Sequence, residues 1–144
     1  MLALSTFRRS DEAVNLALDR GRECGRLTVV FVVDVNLARY LVGTDLGMFP
    51  HFRETCEAEV LEEHRKQAEE AVRPILGMAK ERGVRASGCV VTGRFGVECM
   101  KVIEREKPEL VVTTRSKRPA WVRRFFGSPV DYLMENADCP VIEA

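Results

Sequence analysis

The stretch Leu27-Thr28-Val29-Val30-Phe31-Val32-Val33 is almost continuously apolar and rich in β-branched residues. A strand with one wet face alternates apolar and polar residues, so a run without alternation belongs inside a sheet covered on both sides. Ahead of it, Leu2-Ala3-Leu4-Ser5-Thr6 is a shorter apolar run, followed by Arg8-Arg9-Ser10-Asp11-Glu12. Ser10 is a good N-cap, and Asp11 and Glu12 fill a first turn where the helix dipole favours negative charge. Ala13, Leu16, Ala17, Arg20 and Cys24 recur at three and four residues, predicting a helix that Gly25 ends. The chain opens as strand, helix, strand.

Downstream, residues 34–50 sustain no period and are punctuated by Gly43, Asp45, Gly47 and Pro50. They form a long excursion, expected to pack on its own domain. The longest helical segment is 54–82, with an apolar stripe of Leu61, His64, Ala68, Ala71, Val72, Ile75, Leu76 and Ala79. Pro74 is expected to kink it, because proline lacks the N–H and crowds the preceding turn. His64 lies on the stripe and reads as a packed histidine. Residues 84–91 read as a strand, Gly93-Arg94-Phe95-Gly96 as a turn, and Val97, Met100 and Ile103 as one face of a helix. Leu110-Val111-Val112-Thr113-Thr114 is a further buried strand. After a basic loop, Ser128-Pro129-Val130-Asp131 starts a last helix with Leu133 and Met134, and Pro140-Val141-Ile142 closes the chain as a strand.

Five strands alternating with four helical segments favour parallel pairing through helical crossovers. The expected fold is one α/β domain over residues 1–144, an open doubly wound five-stranded parallel sheet with helices on both faces. Ligands of such sheets sit beyond the carboxyl ends of the strands. The loops that matter are then 6–10, the segment from Asp34, 92–96 and 114–128.

Lys plus Arg and Asp plus Glu number 22 each, so net charge argues for neither nucleic acid nor an acidic membrane surface. The aromatics of the basic loop, Trp121, Phe125 and Phe126, read as packing residues. Five cysteines without a C-x-x-C pair fit reduced, mostly buried thiols in a cytoplasmic protein. His51 and His64 fall in no zinc spacing, so no metal is expected. No apolar run reaches membrane-spanning length. There is no Gly-x-Ser-x-Gly elbow, Walker loop or Gly-x-Gly-x-x-Gly, and no catalytic residue is named.

Three segments together resemble the universal stress protein family: Phe31-Val32-Val33-Asp34, Pro108-Glu109-Leu110-Val111-Val112-Thr113-Thr114, and Gly127-Ser128 followed after ten residues by Cys139-Pro140-Val141-Ile142. The resemblance implies a sheet order of 3-2-1-4-5 and a homodimer paired through the final strand, with Val141 and Ile142 on the shared edge. It also places a nucleotide or anion site around Val32, Thr114, Gly127 and Ser128, where the charge of the following loop adds Arg115, Lys117 and Arg118 as candidate anion-binding side chains.

ATP-binding members of that family carry Gly-x-x-Gly-x(9)-Gly-Ser/Thr after the fourth strand. Laid on this chain, the first two glycines fall at Thr114 and Lys117, and only Gly127-Ser128 remain. Phe7 stands where those members carry an aspartate, and Pro129 has no N–H to offer a phosphate. The expectation is a non-catalytic stress-response regulator with a degenerate nucleotide site and no firmly bound cofactor. Two other readings stay open. An ATP- or AMP-type nucleotide, or another phosphorylated ligand, could be held by the basic side chains 115–124 and the Gly127-Ser128 helix start. An adaptor could dock a protein partner through 37–52.

Overall fold

The run that decides the fold forms strand β2 (Arg26–Asp34), buried at every residue after Arg26. In this computed structural model, residues 1–6, 8–35, 50–114 and 128–144 are described, with 50–54 described by backbone alone. Strand β2 lies between β1 (Leu2–Ser5) and β3 (Arg85–Gly93), parallel to both. Strand β4 (Val111–Thr113) joins the other side of β1, and β5 (Val141–Glu143) ends the sheet, giving the order β3-β2-β1-β4-β5. This is the expected five-stranded parallel sheet.

Successive side chains of a strand point to opposite faces, and β2 divides accordingly. Val29, Phe31 and Val33 enter a cluster with α1 (Asp11–Cys24) and α2 (Pro50–Glu81). Val30 and Val32 enter a second cluster with α3 (Phe95–Glu106) and α4 (Pro129–Asn136). Burying each such Val, Leu or Phe contributes about 1.5–3 kcal/mol, so burial on both faces makes β2 a large contributor to the stability of the sheet.

Local chemistry sets the helix ends. The Ser10 side chain accepts from the Ala13 amide, and Gly25 ends α1 at φ 74. Helix α2 begins at Pro50, ahead of the start at residue 54 that the sequence suggested, and continues through Pro74. Residues 36–49 lie outside the described residues, and with them most of the proposed adaptor segment.

Two helix faces differ from their sequence reading. In α1 the buried residues are Ala13, Ala17, Leu18 and Gly21, while Arg20 and Cys24 are exposed. Gly21 supports the close approach: a Cβ there would stand 3.1 Å from both Leu27 Cβ and Val84 Cγ1. In α3 the inward face is Phe95, Gly96, Cys99, Val102 and Ile103, and Val97 is 42% exposed. Helix α3 starts at Phe95, inside the stretch read as a turn, because Phe95 itself is a core residue. The cysteines also depart from expectation. All five are free thiols, but Cys99 alone is buried, Cys24 is exposed, and the other three are intermediate. None of the described helices is long and apolar enough to cross a membrane.

Candidate functional site

The crevice of an open parallel sheet forms beyond the carboxyl ends of its strands, where strand order reverses. Here β1 is followed on one side by β2 and on the other by β4, so that point lies between β1 and β4. The chain turns sharply there. The Ser5 amide donates to the Arg8 carbonyl at 3.2 Å, and the Arg8 amide donates back to Ser5 at 2.9 Å. The Thr113 hydroxyl donates to the Ala3 carbonyl at 3.0 Å, pinning β4 against β1.

The turn lays the Arg8 guanidinium over the Phe95 ring, 4.7 Å from its centroid. Arg8 is only 4% exposed and Phe95 1%. A desolvated guanidinium on an aromatic face is stabilised by about 2 kcal/mol, which offsets part of the cost of burying the charge. The next residue, Gly96, adjoins the start of α4: a Cβ on it would stand 2.9 Å from Tyr132 Cδ1 and 3.7 Å from the Pro129 carbonyl oxygen. The first turns of α3 and α4 are therefore side by side, with Arg8 lodged at the first. Both helix starts carry partial positive charge, so the arrangement suits an anion better than a cation. Asp34, 7% exposed, marks the end of β2.

At α4 the Ser128 hydroxyl accepts the Asp131 amide at 3.3 Å, and Pro129 occupies the first turn. The cap is thus made within the helix. Of the residues expected to form a site, Ser128 is at this helix start and Thr114, partly buried, directly follows β4. The Val32 side chain is completely buried in the α3/α4 cluster and offers a ligand no surface. Val141 and Ile142 lie half-buried on β5, at the edge of the sheet. Arg115, Lys117, Arg118 and Gly127 lie outside the described residues, as does Phe7.

Sequence reading missed Arg8 and Phe95. Arg8 read as part of a charged lead into α1, and Phe95 as a turn residue. Their contact joins positions far apart in the chain, and no local period reports it.

Cys99 shares the buried cluster of Phe95, and burial pushes its thiol from 9.0 up to about 12, with the Arg8 charge opposing the shift. Such a thiol is no nucleophile at neutral pH. It does make stability depend on alkali. Above about pH 9 the unfolded chain loses a proton that the folded chain keeps until about pH 12. Stability is therefore complete below that window and falls through it by up to about 1.4 kcal/mol per pH unit. Urea midpoints at pH 8 and at about pH 10.5 are expected to fall further for the parent chain than for Cys99→Val; equal losses would assign the alkaline sensitivity elsewhere.

Among the described residues no group of His, Cys, Asp and Glu is arranged to hold a metal ion. His64 is half-buried on α2, its Nδ1 out of solvent and without a hydrogen-bond partner among the described residues.

Residues 1–142 match the profile of the universal stress protein family. Universal stress protein MJ0531 of Methanocaldococcus jannaschii is 28% identical over 130 residues, which span 90% of this chain and 69% of that protein. Among solved structures, universal stress protein UspA from Lactobacillus plantarum superposes with a TM-score of 0.73 at 19% identity, covering 99% of this chain and 94% of that one. A universal stress family protein from Burkholderia pseudomallei gives 0.65 at 16% identity, covering 99% and 94%. At those identities the superpositions speak for the fold.

Proposed function

The chain belongs to the universal stress protein family, and on that premise we propose that it is a non-catalytic, cytoplasmic regulator that no longer holds ATP in the family's manner. Family membership supports a stress-response role. The observation that carries the altered site is the start of α4, where Pro129 has no N–H and the Ser128 hydroxyl is engaged by the Asp131 amide. One phosphate donor is absent and the cap is closed on itself. Thr114 adds a Cβ where close backbone approach calls for glycine. The non-catalytic reading rests on the missing nucleophile–base pair among the described residues and on the high pKa of Cys99.

Homodimerisation through β5 belongs to the same reading. That strand pairs with β4 on one side and ends the sheet on the other, and an unpaired edge invites association. Isothermal calorimetry with ATP·Mg is the direct test. No saturable heat is expected up to about 1 mM, whereas micromolar binding that Phe7→Asp leaves unimproved overturns the reading.

One observation favours a second reading. Arg8, a buried cation at the start of α3, would complement a phosphorylated ligand bound differently from the family's ATP. A nucleotide or other phosphorylated compound released from the purified protein on denaturation, and identified by mass spectrometry, would replace the first reading with this one.

A further inference from the structure

A cavity of about 330 Å³ opens at the pole opposite the crevice, where the strands begin and α1 and α3 end. Its rim carries Arg26, Arg85, Lys107 and Glu109. Arg26 and Arg85 are register partners on the adjacent parallel strands β2 and β3. Like charges placed directly across a ladder repel one another. Each is the first residue of its strand, where a neutral side chain would serve the sheet equally well.

Local structure accounts for only part of this charge. Arg26 donates to the Glu106 carbonyl at 3.2 Å, capping the end of α3. Arg20 pairs with Glu23, Arg105 with Glu106, and Glu109 accepts the Cys24 thiol. Arg85 and Lys107 form no hydrogen bond or ion pair through their side chains among the described residues. Lys107 is moreover the only non-glycine among the described residues with positive φ, at 45. A glycine there would cap α3 without strain of roughly 1 kcal/mol; the negative end of the α3 dipole favours a cation at this C-cap and offsets part of that strain.

We infer that Arg26, Arg85 and Lys107 form a binding site for a compact oxyanion, a phosphoryl or carboxylate group, at the amino-end pole of the sheet. The ligand resolves the repulsion between the two arginines by lying between them. Planar guanidinium forks suit it, because each offers two parallel N–H donors to a tetrahedral or carboxylate oxyanion. Lys107 adds a point charge from the end of α3, on the face of the sheet to which Arg26 reaches. The site is independent of the crevice at the other pole and of whether ATP binds there.

Thermal melting of the full chain at constant ionic strength, titrated with inorganic phosphate, phosphoserine or citrate, tests the site. A saturable rise in Tm is expected with at least one of them. A response to the two phosphorylated probes alone assigns a phosphoryl group, and one to citrate alone assigns carboxylates. Arg85→Gln and Lys107→Gln are each expected to raise the half-saturating concentration about tenfold or more, the size of one lost charge-assisted contact. Without added anion, Arg85→Gln is expected to melt no lower than the parent, since it relieves the Arg26 repulsion. Arg8→Gln, at the other pole, is expected to keep the response. No saturable rise with any probe, or an unchanged response in Arg85→Gln, overturns the site. Loss of the response in Arg8→Gln alone would move it to the crevice.

Discussion

Phe95→Ala is expected to unfold with about 3–5 kcal/mol less stability than the parent chain, read from urea denaturation with an unchanged slope. Phe95 is 1% exposed and the largest of the fully buried side chains among the described residues. Truncating it removes the ring from the α3/α4 cluster and leaves a cavity that Cys99 and Val102 can fill only in part. The Arg8 guanidinium simultaneously loses the face on which it rests, 4.7 Å from the ring centroid. Domains of this size are stable by about 5–15 kcal/mol, so the variant should be marginal. Phe95→Leu separates the two effects: it keeps most of the apolar volume and gives up the cation–π contact, for an expected loss of about 1–2 kcal/mol. A loss below about 1 kcal/mol in Phe95→Ala would mean that the ring does not anchor this end of the sheet.

Leu133→Ala should cost about 2–5 kcal/mol, and its consequence should spread along the chain. Helix α4 has eight residues, too few to persist alone in water. Its buried residues are Val130 and Leu133, so removing Leu133 leaves one anchor. The helix leads directly into β5, which β4 holds through pairs such as the Val111 amide with the Pro140 carbonyl at 2.9 Å. Amide exchange across Val141–Glu143 is therefore expected to quicken more than exchange across β2. Uniform acceleration through the sheet would show instead that α4 and β5 open only with the whole domain.

The two substitutions also mark where sequence reading succeeds. The helix of Leu133 was legible from its N-cap serine, but the sequence offered Leu133 and Met134 alike, and only Leu133 is buried while Met134 is exposed. Phe95 was not legible, because the glycines on either side suggested a turn. Gly93 ends β3 and Gly96 instead makes room for Tyr132, so the pair marks close packing. In α1 the three-and-four spacing was found but its face was misplaced, because Gly21 carries no hydrophobic side chain to reveal that it is buried. The point where strand order reverses was legible from the alternation of strands and helices, and so was the start of α4, with Ser128 as its cap and Pro129 in its first turn.

The sequence by itself determined the strands, the caps at Ser10, Gly25 and Ser128, and the class of sheet. Each depends on neighbours within one turn or one strand: a continuous β-branched run, a hydroxyl three residues from an amide, a glycine at positive φ. Only the tertiary structure decided that Arg8 is buried on Phe95 and that Arg26 stands beside Arg85. Those contacts join residues from different elements, and their energy depends on which groups the fold deprives of water. Charge is visible in a sequence; whether a charge is solvated, stacked or set against its like is settled only when the sheet brings the ends of its strands together.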